Sequence, residues 1–220
     1  MKSLEQHEMF EIETLRFMKN RGLLSPIVFG GGTMLRLCHE LNRYSVDLDF
    51  YFKKQEAQDS YFKKIGTAFH SHYIVSDYCN KYNTILLEIR HDRFRMKLKI
   101  EINKIKRIPS YHTAIAFSPH STVQVNVDTI PLENMMINKI EALLDRKEIR
   151  DAYDIEFMLR RGVHFPADAE KAANILKTIK QFKKNDFNVK LGSLLPPEAR
   201  QYYRQNRFEY FERYLMSLLV

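Results

Sequence analysis

The chain has 220 residues, 45% of them hydrophobic, and its 35 Lys and Arg residues outnumber 27 Asp and Glu residues to give a net charge of +8. No apolar run approaches the roughly 20 residues of a membrane-spanning helix, so a transmembrane protein is excluded. Cys38 and Cys79 cannot form a disulfide framework, and the N-terminus lacks the apolar core of a signal peptide. A secreted disulfide scaffold is therefore excluded too, and we expect a cytoplasmic protein of one large or two small domains.

The first 130 residues predict an N-terminal α/β domain. A helix is expected over residues 5–20, followed by a short β-branched and aromatic strand at 27–29. Thr33 is the expected N-cap of a helix over 34–41, whose apolar residues fall at i, i+3, i+4 and i+7. The remaining elements of this half are strands at 47–52, 73–78, 84–90, 94–103 and 122–127 and a helix at 58–72.

Residues 131–220 predict a helical domain, because the patterns typical of strands stop near Pro131. Its helices are expected at residues 131–144, 149–159, 168–184 and 197–219. The chain should therefore divide into an α/β domain at 1–130 and a helical domain at 131–220.

Asp47 and Asp49 are the first residues that indicate a specific chemistry. Side chains two residues apart on a strand share a face, so both carboxylates point one way while Leu48 and Phe50 turn into the core. Carboxylates this close repel one another unless a cation lies between them, and hard oxygen ligands suit Mg²⁺ or Mn²⁺. The alternative for this pair taken alone is an exposed edge strand.

Glu101 lies on a strand whose residues alternate between apolar and polar over nine positions, 95–103. Lys97, Lys99, Glu101 and Asn103 share the polar face. A single carboxylate among lysines on such a strand is a candidate third metal ligand. The alternative is a cross-strand ion pair, which contributes less than about 1 kcal/mol when exposed.

The glycine run 30–32, followed by Thr33, lies between a predicted strand and a helix start. Glycines let the backbone approach a ligand closely, and the first amides of a helix are donors without a partner inside the helix, at the positive end of its dipole. This turn therefore predicts a phosphate site, although it lacks the Gly-Lys-Ser/Thr of a P-loop and the GxGxxG spacing of a dinucleotide fold. Beside a metal-binding DxD, it fits a nucleoside triphosphate.

Two motifs together resemble a known family. Gly31-Gly32-Thr33 is followed by Asp47-Leu48-Asp49-Phe50, with Arg36, Arg43 and Ser45 between them, which is similar to the first motif of the nucleotidyltransferases related to DNA polymerase β. Lys139-Ile140-Glu141-Ala142-Leu143-Leu144-Asp145-Arg146, followed by Arg150-Asp151-Ala152-Tyr153-Asp154-Ile155, resembles the second motif of the AbiEii/MenT branch. That branch comprises toxins of bacterial toxin–antitoxin and abortive-infection systems. The resemblance covers residues 28–159.

The resemblance implies an α+β fold, with a polymerase β-like core around a mixed sheet followed by a C-terminal helical bundle. It also implies an enzyme that transfers a nucleoside monophosphate (NMP) from an NTP to an acceptor hydroxyl, with the 3′ end of tRNA as the acceptor and an antitoxin protein as a partner. The implied catalytic residues are Asp47, Asp49, Glu101, Lys139 and Asp154, the first three binding Mg²⁺ or Mn²⁺. The implied nucleotide-binding residues are Gly31, Gly32, Thr33, Arg36, Ser45, Lys139 and Arg146.

Alternatives remain open for several of these features. The same active site would serve an enzyme that modifies a protein Ser, Thr or Tyr, and a catalytically silent nucleotide- or RNA-binding module is a further alternative. Arg146 and Arg150 suit phosphate binding, and the alternative for these two and for Asp151 is an interdomain salt bridge, such as Arg150 with Asp154 at i+4.

Two basic regions favour a phosphate-rich partner without requiring one. Residues 81–108 carry nine Lys and Arg residues against three Asp and Glu residues, a net +6, which suits an RNA acceptor or a solvated surface. The segment 200–214 interleaves arginines with aromatic residues. It suits RNA stacking, but an amphipathic helix with its aromatic residues packed inward is favoured.

Overall fold

The computed structural model describes residues 2–54, 58–106, 108 and 110–219. These form two compact units. The first comprises Met1–Glu40 and Tyr44–Ile130, and the second comprises Leu41–Arg43 and Pro131–Val220. None of the described helices is both long enough and apolar enough to cross a bilayer.

A seven-stranded mixed sheet forms the centre of the first unit, which confirms the predicted α+β class. Its order is β3-β4-β5-β2-β1-β7-β6, with parallel pairs β2/β5 and β1/β7 and antiparallel pairs elsewhere. The strands are β1 (Ile27–Gly30), β2 (Asp47–Phe52), β3 (Ile74–Asn80), β4 (Thr84–His91), β5 (Phe94–Asn103), β6 (His112–Phe117) and β7 (Gln124–Thr129). The helices are α1 (Lys2–Asn20), α2 (Gly31–His39) and α3 (Gln58–His70).

The helices of this unit pack on one face of the sheet. Alternate residues of β2 and β5, such as Leu48 and Ile100, are fully buried on that face. Phe10 of α1 stacks on Phe94 of β5 with ring centroids 4.6 Å apart. The side chains between the buried ones, including those of Asp47, Asp49 and Glu101, therefore point to the opposite face.

Three predictions for this unit need correction. Helix α2 begins at Gly31, three residues before the expected start, because the positive φ of Gly31 (73°) turns the chain directly out of β1. Strand β6 was not expected, because its exposed face carries Ile115 and Phe117 and hides the usual polar–apolar alternation. Strand β7 lies two residues beyond the predicted 122–127.

The second unit is helical. Its α-helices are α4 (Leu132–Arg146), α5 (Ile149–Arg160), α6 (Ala169–Lys180), α7 (Pro197–Asn206) and α8 (Glu209–Ser217). A π-helix at Asp186–Leu191 and a 3₁₀ turn at Gly192–Leu194 lie between α6 and α7. The single helix expected at 197–219 is wrong, because the chain breaks at Arg207, whose φ is 50° and ψ is −132°. The aromatic residues Tyr203, Phe208 and Phe211 are buried, which confirms inward packing, although Tyr202 and Tyr210 stay exposed.

Helix α1 buries a row of polar side chains in the first unit. Burial lowers the pKa of His7 from its ordinary 6.5, so the neutral ring donates from Nε2 to the Val46 carbonyl at 3.0 Å. The fully buried Glu8 accepts from Arg36 Nε at 2.8 Å and from Ser118 Oγ at 2.6 Å. These bonds tie α1 to α2 and to the residue that precedes β2.

Glu11 is the member of this row whose carboxyl group has the fewest hydrogen bonds to described residues. Neither of its carboxyl oxygens accepts a hydrogen bond from the described part of the chain, and the nearest cation-capable atom is His7 Nε2 at 3.6 Å. Burial, followed by the charges of Glu8 and Asp47, raises the pKa of Glu11 well above 4.5, and Arg36 offsets this only in part. The carboxyl group is therefore stable in the fold chiefly in its neutral form.

The raised pKa of Glu11 predicts a specific pH dependence. The folded chain binds this proton more tightly than the unfolded chain, so Glu11 reduces stability as pH rises above 4.5 towards its folded pKa. Glu11→Gln keeps the neutral shape and should raise the free energy of unfolding at pH 8 but not at pH 4. Urea titrations across this range, with Glu5→Gln in the same helix as the control, measure the effect. A pH-independent gain would contradict it.

Candidate functional site

The start of α2 lies directly against the carboxylate of Asp49. A Cβ placed on Gly31 would fall 2.0 Å from Asp49 Oδ2 and 2.7 Å from Asp49 Cβ. Gly31 also has a φ of 73°, which L side chains rarely adopt. Only glycine therefore allows this turn, and its missing side chain is the space that the Asp49 carboxylate fills.

Thr33, two residues after Gly31, makes a second contact between α2 and β2. Its hydroxyl donates to the backbone carbonyl of Asp47 at 2.6 Å, and its side chain is fully buried. The hydroxyl expected to meet a nucleotide is thus engaged in holding β2 against α2. Gly32 lies between the two contacts and is also buried.

The three predicted metal ligands share one face of the sheet. In the parallel β2/β5 pair, Asp49 lies beside Glu101 and Asp47 lies beside Lys99. Lys99 Nζ is 2.9 Å from Glu101 Oε1. Partial burial acts against its charge, but Glu101, Asp47 and Asp49 together raise the pKa of Lys99.

The donor chemistry of these residues fits a hard divalent cation, and Gly31 leaves room for the Asp49 carboxylate beside the helix start. Among the described residues, no group of three or more His, Cys, Asp or Glu side chains is placed to hold a metal ion. The ion pair expected as the alternative for Glu101 is present, although it is formed with Lys99 on the same strand rather than across strands.

Arg36 lies in α2, and Ser45 lies in the connection between α2 and β2. Arg36 Nε donates to buried Glu8, and the guanidinium lies 4.8 Å from the centroid of the Tyr44 ring. Ser45 is half-buried, two residues before Asp47. Arg36 is therefore held in place from two sides, as a residue that orients a phosphate needs to be.

In the second unit, a buried charge network surrounds Lys139. Lys139 Nζ is 2.6 Å from Asp154 Oδ2 and 3.1 Å from Asp151 Oδ1, and both aspartates are fully buried. Arg146 donates to both oxygens of Asp151 at 2.7 Å while about half its side chain stays exposed. The structure thus brings Lys139, Asp154 and Arg146 together through Asp151.

Arg43 completes this network. It donates to both oxygens of Asp154, at 2.6 and 2.7 Å, and is 3% exposed. Burial alone would raise the pKa of Asp154, but Arg43 first and then Lys139 hold it below 3.8. The pairing of Asp154 with Arg150, considered as an alternative, is wrong, because Asp154 binds Arg43 and Lys139 instead.

No local pattern marks Arg43 as a partner of Asp154, since 111 residues separate them. In the sequence, Arg43 stands out only because it belongs to the first motif. Nothing else in the sequence indicates a role for it.

Part of the positive charge of the basic region 81–108 lies in ion pairs. Three of its cations, Arg93, Lys97 and Lys99, pair with Glu13, Glu88 and Glu101 respectively. Arg107 lies outside the described residues. The residues that give the predicted net charge of +6 therefore do not form a continuous surface of unpaired cations.

One of the comparisons with known proteins identifies a family. The family model described as "Nucleotidyl transferase AbiEii toxin, Type IV TA system" matches residues 16–215. A comparison with curated proteins found no match.

Three solved structures resemble the chain at 18% identity. A nucleotidyltransferase-like protein of H. pylori has a TM-score of 0.57 and shares 95% of this chain and 96% of its own. JHP933 of Helicobacter pylori has a TM-score of 0.55, with 94% and 93% covered. MenT4, a nucleotidyltransferase toxin of Mycobacterium tuberculosis, has a TM-score of 0.50, with 97% and 95% covered. At this identity they support the fold.

The close approach of Gly31 to Asp49 predicts that Gly31→Ala is much more harmful than a matched change at Gly162. Gly162 has a similar φ of 76° but no atom within 4 Å of its Cβ position. Gly162→Ala should therefore cost only the left-handed backbone, about 1–2 kcal/mol. Gly31→Ala should cost about 1–3 kcal/mol more through the forced displacement of Asp49. Urea unfolding measures both, and equal losses would contradict the contact.

The Arg43–Asp154 pair predicts a large loss for Arg43→Met. Removal of Arg43 leaves the buried Asp154 with Lys139 as its remaining cation, and breaking such a pair costs about 3–5 kcal/mol. Arg213→Met, which removes an exposed arginine paired with Glu209 on α8, should change the free energy of unfolding little. Similar losses in the two variants would show that Arg43 contributes no more than a surface ion pair.

Proposed function

Since the chain belongs to the AbiEii family of nucleotidyltransferase toxins and is a nucleotidyltransferase, we propose that it transfers an NMP from an NTP to a hydroxyl at the 3′ end of tRNA. The acceptor oxygen forms a bond to the α-phosphorus, and the bond from that phosphorus to the β-phosphate bridging oxygen breaks. Pyrophosphate leaves, and the acceptor hydroxyl loses its proton. The observation that carries the proposal is the placement of Asp49 between Gly31 of the helix start and Glu101 of the neighbouring strand.

Asp47, Asp49 and Glu101 are the proposed ligands of Mg²⁺ or Mn²⁺. The donor type of all three residues and the shared face of β2 and β5 support this assignment. Bound divalent ions would lower the pKa of the acceptor hydroxyl and offset the negative charge of the leaving pyrophosphate. Metal binding through Glu101 would compete with its ion pair to Lys99, which holds the Glu101 carboxylate in place in the free enzyme.

The α2 start is the proposed triphosphate contact in the first unit. The backbone amides of Gly31, Gly32 and Thr33 belong to the first turn of α2, where helix donors have no partner within the helix. Arg36 in α2 and Ser45 in the α2–β2 connection are proposed to add a guanidinium and a hydroxyl. The hydrogen bond from Thr33 to the Asp47 carbonyl keeps this turn and the carboxylates in a fixed relation.

Lys139 and Arg146 are the proposed phosphate contacts of the second unit. Lys139 is held between Asp154 and Asp151, so its ammonium has little freedom to lose when a ligand binds. Asp154 is a positioning residue, because it orients Lys139 and is itself gripped by Arg43. Arg146 keeps half of its side chain exposed for a bidentate contact.

We assign to the protein the role of a toxin that blocks translation by modifying tRNA, and to an antitoxin protein the role of its partner. Access to tRNA requires a cytoplasmic location, which stays a prediction. A protein Ser, Thr or Tyr is the competing acceptor, and ribonuclease treatment of the labelled product separates the two.

The proposal predicts label transfer from α-labelled NTPs to total tRNA in the presence of Mg²⁺, with one NTP preferred. Asp49→Asn should lower the rate at least about a hundredfold, because it removes a charged ligand at the reacting phosphate. Asp77→Asn, an aspartate on the edge strand β3, is the matched control and should retain the parent rate. Thermal unfolding of both variants checks that they are folded.

Three results would overturn the proposal. Transfer that persists unchanged in Asp49→Asn places the chemistry elsewhere. Label that resists ribonuclease but yields to protease indicates a protein acceptor. Nucleotide binding that tolerates loss of Asp47, with no pyrophosphate released under any acceptor, indicates a silent binding module.

A further inference from the structure

A cationic recess lies in the second unit, between the segment that follows α6 and the end of α7. Its lining residues are Lys184, Phe187, Asn188, Arg204 and Arg207, and its volume is about 400 Å³. Three of these five residues are cations and none is a carboxylate. The size is that of a small-ligand site rather than of a flat surface patch.

Across the described ranges, no ion pair or side-chain hydrogen bond involves Lys184, Arg204 or Arg207. The acidic residues nearest in sequence are engaged elsewhere. Asp186 accepts from the Lys183 amide at 2.8 Å and pairs with Lys190 at 3.0 Å, and Glu209 pairs with Arg213. Three like charges gathered without a counter-charge favour an anion from solution.

Arg207 is held in a conformation that suits glycine and not arginine. Its φ of 50° with ψ of −132° is a region that side chains with a Cβ rarely adopt. Strain of this kind persists where surrounding structure imposes it and is concentrated at binding sites. The Arg207 guanidinium lies 5.7 Å from the centroid of the Phe187 ring, which forms part of the recess.

Phe187 supplies a rigid wall to the recess. It lies in the π-helix Asp186–Leu191, is 3% exposed and packs against Phe182 and Phe208. Single π-helical turns are rare and occur often at functional sites. Because the ring is buried, it supports Arg207 from below and leaves no face on which a base could stack.

We propose that this recess binds phosphate groups of an RNA backbone. Arginine forks match phosphate oxygens bidentately, and lysine adds a point charge. A nucleic-acid strand presents one charge about every 3.4 Å, which matches three cations around one recess better than the dispersed carboxylates of a protein surface do. Without an exposed aromatic face, contact should be independent of base sequence. The choice of RNA rests on the proposed function, in which tRNA is the acceptor.

The test is RNA binding by the full chain without NTP, measured by fluorescence anisotropy with labelled tRNA at several salt concentrations. Lys184→Gln, Arg204→Gln and Arg207→Gly should each weaken binding about three- to tenfold, and each should reduce the salt slope by about 0.7–0.9. Lys177→Gln and Arg213→Gln remove exposed cations of the same unit outside the recess and should leave both quantities unchanged.

Arg207→Gly separates binding from structure. Glycine relieves the backbone strain, so this variant should unfold at the same or a higher temperature than the parent while its RNA affinity falls. Arg207→Lys keeps the charge and should retain most of the affinity. A variant in which stability and affinity fall together would indicate a structural role and overturn the proposal.

Competition identifies the source of the phosphate. Unlabelled RNA should displace the probe, and inorganic phosphate or ADP should do so only at far higher concentration. Recess variants that lose ADP or a polyglutamate peptide but bind RNA like the parent would overturn the proposal. Because no NTP is present, a chain that loses RNA affinity on these substitutions yet transfers no NMP supports the recess and refutes the proposed function.

Discussion

The contact between Gly31 and Asp49 is the constraint on which the first unit depends. No side chain fits between the Gly31 backbone and the Asp49 carboxylate. At Gly31 the chain passes from β1 into α2 without a loop. After that turn, the Thr33 hydroxyl donates a hydrogen bond to the Asp47 carbonyl, which fixes the position of α2 along β2. The parallel β2/β5 register then sets Glu101 beside Asp49. The absence of a side chain at Gly31 thus allows the start of α2, the Asp47 and Asp49 carboxylates and β5 to lie close together.

The second unit depends on a different constraint, the burial of the Lys139 side chain. Burial of a lysine is costly alone, and ion pairs with Asp151 and Asp154 offset that cost. Arg43 and Arg146 bind the same two aspartates, so each buried carboxylate contacts two cations. Arg43 groups with this unit, although it lies only four residues before Asp47 in the chain. Within this unit, its two hydrogen bonds to Asp154 tie residues 41–43 to α5.

The predictable part of the structure is the part encoded by local periodicity. Alternation along β2 and β5 correctly assigned Asp49 and Glu101 to one face, because strand geometry depends on neighbours in sequence. Periodicity could not identify Arg43 as the partner of Asp154, since only the tertiary fold brings them together. It also missed the break at Arg207, because the apolar spacing continues through Phe208 and Phe211, and only backbone dihedrals reveal the interruption.

Net charge was the least reliable guide, because it counts residues and ignores their pairing. The stretch 81–108 has the larger sequence charge, yet three of its cations lie in ion pairs with Glu13, Glu88 and Glu101. The recess at Lys184, Arg204 and Arg207 has fewer cations but none in a described ion pair. An anion responds to local potential, which pairing lowers steeply at short range. Three unpaired charges in one recess therefore attract phosphate more strongly than three charges that already lie in ion pairs.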